Sequence, residues 1–202
     1  GIQSITPGDI AYARETGYEI KLVAVAKRTA SGVDVRVQPT MIRASHPLAN
    51  VNGVYNAIYV IGDAVGETMF FGEGAGSLPA ASAVVGDIIE AARHIERGCA
   101  GLVGCTCSES LPICDIADLE TSYYIRLTAA DEPGVLAAIA GVFATNGVSL
   151  ASVIQRQTDD SGAEIVWITH RAAERDVRAA LATIDSLEAV RGIGTVLRVE
   201  EL

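Results

Sequence analysis

The apolar period of the C-terminal part of the chain restricts its fold more than any other feature. Tyr123, Ile125 and Leu127 alternate with Tyr124, Arg126 and Thr128, the period of a strand. Asp131-Glu132-Pro133-Gly134 breaks it. Val135, Ile139, Val142 and Phe143 then share one helical face, and Asn146-Gly147 supplies the pair that closes a helix in the left-handed conformation. Val148, Leu150, Ser152 and Ile154 form the next strand, Asp159-Asp160-Ser161-Gly162 a turn, and Ile165 to His170 the return. Val177, Leu181 and Ile184 make a second helical stripe; Ile193, Thr195, Leu197 and Val199 make a last strand. The order βαββαβ predicts a ferredoxin-like sandwich with both helices on one face of the sheet. The other face is expected to be open, and so polar or paired with a partner.

The first half reads differently. Thr6-Pro7-Gly8-Asp9 has the signature of a helix start, with Thr6 as N-cap, Pro7 in the first turn and Asp9 near the positive end of the dipole. That helix is expected to stop at Gly17. Ile20 to Lys27 and Val33 to Gln38 alternate about a Ser31-Gly32 turn, which predicts a hairpin with one wet face. Residues 39–52 are expected to be irregular. Val54 to Ile61 and Glu67 to Phe71 are the next strands. A long helix follows from Pro79 to about Ile95, with Ala81, Val85, Ile88, Ala92 and Ile95 on its apolar face. The fold class is α+β: a mostly antiparallel sheet with one long helix, then the βαββαβ domain. Two helices cannot cover the first sheet, so part of it is expected to meet another domain or subunit.

Between the last of these strands and the long helix lies Phe71-Gly72-Glu73-Gly74-Ala75-Gly76-Ser77-Leu78-Pro79. Alternate glycines let a ligand or another backbone approach with no Cβ atoms between. The N–H groups of the helix start favour a polar or negative partner. Ser77 stands where a dinucleotide fingerprint needs its third glycine, and no Lys-Ser or Lys-Thr pair makes the turn a P-loop.

The formal net charge of −10, with 25 acidic against 15 basic residues and no basic run, disfavours nucleic acid and anionic membranes as partners. The apolar runs are too short to span a bilayer and no signal peptide is evident, so a cytoplasmic location is expected. Residues 98–120 hold three glycines and all four cysteines and read as a linker between domains at 1–97 and 121–202. Cys99, Cys105, Cys107 and Cys114 lack the C-x-x-C spacing of structural zinc sites; free thiols and no metal are expected.

Residues 121–202 resemble an ACT domain, the amino-acid-sensing module of biosynthetic enzymes. The resemblance rests on Asp131-Glu132-Pro133-Gly134-Val135-Leu136, Asn146-Gly147-Val148-Ser149-Leu150 and Ser152-Val153-Ile154-Gln155. It implies a site for a small amino acid, with Asp131 and Gly134 in the strand-to-helix loop and Asn146, Gly147 and Val148 opening the facing strand of a paired subunit. Read from the residues alone, the same positions are a turn and a cap.

Residues 1–97 resemble the end of the substrate domain of homoserine dehydrogenase. The matching segments are His46-Pro47-Leu48-Ala49, Val51-Asn52-Gly53-Val54, Asn56-Ala57-Ile58, Gly62-Asp63, Phe71 through Gly76, and Pro79-Ala80-Ala81-Ser82. The resemblance implies NAD(P)H-dependent interconversion of aspartate semialdehyde and homoserine in threonine and methionine biosynthesis. Gly74, Ala75, Gly76, Pro79 and Ala80 would lie near the nicotinamide; Ala80 stands where the family commonly has Thr. The cofactor domain, catalytic lysine and substrate-binding acids of the family lie upstream of the matching region. No catalytic residue is therefore assigned here, and Lys21 and Lys27 are read as surface charges. The chain by itself is expected to bind no cofactor tightly and to show no turnover. The implied partners are the Rossmann domain, further copies of the chain as a homodimer or higher oligomer, and an amino acid such as threonine. Two other readings are a stand-alone amino-acid-binding regulator and an assembly module whose sheets pair between subunits.

Overall fold

The computed structural model describes residues 2–99, 109–157 and 162–201. The chain forms two compact units, one comprising residues 1–49 with 111–202 and the other residues 50–110. The class is α+β, with mostly antiparallel pairing.

The first unit contains α1 (Pro7–Glu15), β1 (Tyr18–Thr29) and β2 (Gly32–Arg43). The second supplies β3 (Tyr55–Gly62), β4 (Gly66–Glu73) and α2 (Ser77–Arg97). The chain then returns to the first unit with β5 (Glu120–Ala129), α3 (Val135–Thr145), β6 (Leu150–Gln157), β7 (Ala163–Thr169), β8 (Ala172–Ala173), α4 (Glu174–Asp185) and β9 (Val190–Glu200). The large sheet has the order β1-β2-β9-β5-β7-β6, with the short β8 beside β5; β3 and β4 make a separate hairpin.

The βαββαβ order is present, and alternation explains its core. Tyr123, Ile125, Leu127 and Ala129 of β5 join Ile165 and Trp167 of β7 beneath Val135, Ile139 and Phe143 of α3 and Val177, Ala180 and Ile184 of α4. These side chains are almost wholly withdrawn from water. Each large one removed from water contributes roughly 1.5–3 kcal/mol. Phe143 and Trp167 meet with ring centroids 5.5 Å apart at 50°. The turn expected at Asp159-Asp160-Ser161-Gly162 falls mostly outside the described residues.

The structure corrects the first-half reading in four respects. β1 and β2 do not form one sheet with β3 and β4; they extend the C-terminal sheet, because Thr40–Ile42 pair in parallel with Arg198–Glu200. The compact units follow this pairing. The second face of the βαββαβ sheet is not open: α1 lies there, and Tyr12, Ala13 and Met41 pack with Tyr124, Val166, Leu197 and Val199. Residues 39–43 are not irregular. β2 continues through Pro39, which lies just before its pairing with β9 begins, and a strand accepts Pro where one side carries no ladder.

The wet face of the hairpin is also inverted. Asp34, Arg36, Gln38 and Thr40 of β2 are buried, whereas Val35 and Val37 are 55% and 70% exposed. The polar side is held inward by ion pairs with β9, described below.

In the second unit β3 and β4 pair from Tyr55↔Glu73 to Gly62↔Gly66, and Tyr55 stacks on Phe71 with centroids 4.8 Å apart. α2 keeps its predicted apolar stripe, but no α2 residue is buried, and Val85, Ile88 and Ile95 are exposed. Among the described residues no helix is long and apolar enough to cross a membrane.

Candidate functional site

The glycine-rich turn carries β4 into α2. The helix opens at Ser77 with Gly76 as N-cap at φ 133°, and no side chain caps it. The backbone N–H of Ala80 donates to the Gly76 carbonyl at 3.1 Å, the first bond of the helix. Pro79 therefore sits among the positions whose N–H groups have no intrahelical partner, and its missing donor is harmless. Residues 74–78 are exposed and Pro79 is half-buried.

The glycines have different reasons. A Cβ on Gly74 would collide with the side-chain amide of Asn56. Gly74 thus makes room for a side chain of its own chain. Gly76 needs its positive φ, which side chains rarely adopt. The surface from Ala75 to Leu78 stays open beside the uncapped first turn of α2.

The loops of the βαββαβ domain divide into two groups. Gly134 is the N-cap of α3 at φ 94°, and Asp131 Oδ1 accepts from Gln155 Nε2 of β6 at 3.0 Å. At the far end Asn146 is the C-cap: its Nδ2 donates to the Val142 carbonyl at 2.9 Å, and Gly147 follows at φ 72°. Val148 is 2% exposed and belongs to the core. α3 has 11 residues, which sets its ends about 16 Å apart at 1.5 Å per residue. Within one chain, Asp131 and Gly134 therefore do not meet Asn146, Gly147 and Val148. Gln155, quoted only as part of the matching string, is the residue that the structure adds to Asp131.

A buried ionic network joins α1 to the sheet. Thr6 and Asp9 form a reciprocal capping box. The wholly buried Asp9 also accepts from Arg126 Nε at 2.7 Å, Tyr124 Oη at 3.0 Å and Thr195 Oγ1 at 2.9 Å. Arg126 Nη1 donates to Glu164 at 2.9 Å, and Glu164 accepts from Tyr12 Oη at 2.8 Å. Burial pushes the Asp9 carboxyl up, but the hydrogen bonds from Arg126, Thr6 and Thr195 outweigh it and hold the group at about 2. The hydrogen bond to Asp9, opposed by burial, drives the Arg126 guanidinium upward. The sequence marked Asp9 as an acid near the positive end of the helix dipole; the spacing to Arg126 and Thr195 carries no local signal.

A second network lies on the helical face. Glu174 accepts from Tyr123 Oη at 2.7 Å, Arg198 Nη2 at 2.6 Å and Arg178 Nε at 2.8 Å. Burial raises its carboxyl, and these donors overcome that and lower it. Cys99 and Cys114 are free thiols, while Cys105 and Cys107 lie outside the described residues. Among the described residues no group of three His, Cys, Asp or Glu side chains is arranged to hold a metal.

An open glycine turn feeding an uncapped helix accompanies a βαββαβ sandwich in one α+β chain. Residues 1–89 match the family model of homoserine dehydrogenase, and residues 123–189 match that of the ACT domain. The chain is 43% identical to homoserine dehydrogenase of Neisseria gonorrhoeae over 208 residues, covering 100% of this chain and 48% of the relative. It is 44% identical to that of Synechocystis sp., covering 98% and 48%. Among solved structures, a homoserine dehydrogenase from Thiobacillus denitrificans superposes with a TM-score of 0.89 at 38% identity, over 99% of this chain and 46% of that one. The chain is similar to homoserine dehydrogenases along its whole length. It spans about half the length of the curated relatives it matches.

Proposed function

We propose that this chain is the cofactor-facing and regulatory part of an enzyme that interconverts aspartate semialdehyde and homoserine with NAD(P)H. One observation carries the reading: the turn from Ala75 to Leu78 is open, with the uncapped start of α2 beside it. Gly76, Ala75, Pro79 and Ala80 would bound the nicotinamide side of the cofactor, while Gly74 holds Asn56 in the wall behind them. The cofactor supplies the hydride when bound. This chain's residues give it a flat contact and exclude water, and the α2 N–H groups orient a polar acceptor on the ring. Holding the rest of the cofactor and donating the proton fall to residues of the whole enzyme, whose activity belongs to the threonine and methionine routes.

The ACT domain is proposed to hold a small amino acid such as threonine between two copies of the chain. Two features favour a shared site. The candidate residues sit at opposite ends of α3, and among the described residues β6 pairs with β7 alone, which leaves its other edge for a second copy. Asp131 with Gln155 and the backbone at Gly134 would face Asn146, Gly147 and the Val148 backbone of that copy. The whole enzyme is proposed to act in the cytoplasm.

The test is a chimera. The matching half of the Neisseria gonorrhoeae relative is replaced by this chain, and reduction of aspartate semialdehyde is followed by loss of NAD(P)H absorbance. Turnover is expected, and Gly76→Val is expected to abolish it while leaving the fold intact by circular dichroism. A folded chimera that binds NAD(P)H but does not turn over, or a Gly76→Val chimera that works normally, would overturn the proposal. The 202-residue chain is the blank.

A further inference from the structure

The first unit contains a cavity of about 570 Å³ bounded by β1, β2, the returning segment 114–122 and the end of β9. Its volume lies in the range of small-molecule sites, roughly 300–1,000 Å³. It arises from a gap in the sheet. β2 pairs with β1 along its whole length, but on its second side it meets Ile113 at Val33 and β9 at Thr40–Ile42. Across residues 34–39 no described strand continues the ladder on that side. Asp34 and Arg36 face the cavity there.

The charges in this wall are fixed in place. The Arg36 guanidinium pairs with both Asp34 and Glu200, and Lys27 Nζ lies 2.6 Å from Glu200 Oε2. Arg36 and Glu200 are 7% and 3% exposed. Setting ionised groups inward and valines outward is unfavourable for folding by itself, since removal from water offsets most of what the ion pairs return. The Arg36 Nε–H, buried in the same wall, has no acceptor among the described residues. A buried donor without an acceptor is a loss that an incoming oxygen can relieve.

Lys27, Arg36, Asp34 and Glu200 neutralise one another. At the rim this leaves Arg171, whose Nη2 donates to the Glu120 carbonyl oxygen at 3.1 Å, against the carboxylates of Asp115, Glu120 and Glu201 and that of Asp118, which is paired with Arg175. The lining thus offers both donors and an excess of carboxylates. A polyanion meets too much negative charge here, and a simple amine leaves Arg36 Nε unsatisfied. We propose that this cavity is a binding site for a small zwitterion of amino-acid size. Its carboxylate lies toward Arg36 Nε and Arg171, and its ammonium toward Asp115, Glu120 and Glu201. The site is separate from the Asp131–Gln155 pair and does not depend on the reading given for that loop.

Cys114 provides the readout. It lines the cavity with Thr29 Oγ1 3.3 Å and Ser31 Oγ 3.6 Å from its sulfur, while Cys99 is not part of the lining and serves as internal control. The full chain is alkylated with iodoacetamide, and modification at each cysteine is followed by peptide mass spectrometry. Glycine, L-serine and L-glutamine are tested at millimolar concentration, with acetate and ethylamine as the half-molecules. At least one amino acid is expected to slow alkylation of Cys114 several-fold and leave Cys99 unchanged, whereas neither half-molecule does. Arg171→Ala, a change at an exposed side chain, should raise the concentration needed about tenfold, the loss expected for one charged hydrogen bond. Asp131→Asn should leave protection as it is. The proposal is overturned if no amino acid protects Cys114, if acetate or ethylamine protects as well, if Arg171→Ala has no effect, or if Asp131→Asn removes the protection.

Discussion

Replacing Asp9 with Asn tests the attachment of α1 to the sheet. Asn keeps the shape but replaces a buried carboxylate with a neutral amide, and either flip sets a new N–H donor among Arg126, Tyr124, Thr195 and Thr6, which already donate there. Removing one partner of a buried ion pair costs roughly 3–5 kcal/mol, because the remaining charge keeps its desolvation. Glu164 still faces Arg126 at 2.9 Å, so the lower part of that range is expected, about 3 kcal/mol. The pH dependence gives a second measure. The carboxyl is held at about 2 instead of 3.8, so its contribution is complete above 3.8 and is lost as pH falls toward 2. That shift corresponds to about 2 kcal/mol, and Asp9→Asn should lack this part of the acid sensitivity. The assay is urea unfolding followed by the fluorescence of Trp167, the single tryptophan, wholly buried in the ACT core. An Asp9→Asn chain within about 0.5 kcal/mol of the parent would refute the reasoning. So would strict additivity with Arg126→Met in a double-mutant cycle.

Other positions give independent tests. Gly32→Ala places a Cβ against the Pro112 carbonyl at φ 150°, where Val33 N–H donates to that carbonyl at 2.9 Å; a loss of about 2–4 kcal/mol and faster alkylation of Cys114 are expected. Gly74→Ala should loosen the β4–α2 turn through its collision with Asn56, and Asn56→Gly should restore it, read as protease susceptibility at residues 74–78. Glu174→Gln should destabilise the chain by about 3 kcal/mol by uncoupling Arg198 and Arg178, whereas Tyr123→Phe, which removes one neutral donor, should lose about 1 kcal/mol; urea midpoints compare the two.

The ACT half was legible because its strands and helices bury one face each, so the alternation of Tyr123, Ile125 and Leu127 and the stripe of Val135, Ile139 and Phe143 mark the core directly. The start of α1 was legible from Thr6, Pro7 and Asp9 for a similarly local reason. What local pattern does not carry is pairing across the whole chain. Nothing near Thr40 announces Arg198, and the inward turn of Asp34 and Arg36 follows from Glu200, far along the sequence. At the candidate site the glycine turn was visible, but Gly74 answers to Asn56, a contact between strands. The separation of Gly134 from Asn146 was implicit in the length of α3 between them.

The position of β2 beside β9 bears on synthesis. A ribosome delivers residues 32–43 long before residues 190–200, so the N-terminal hairpin emerges with its permanent neighbour still unmade. Through that interval Met41 and Ile42 have only the hairpin itself, α1 has no sheet to dock on, and Asp9 has no Arg126. Completion of the first unit is thereby tied to the synthesis of β9, and until then the unpaired edge of β2 and the undocked α1 are open to non-native association.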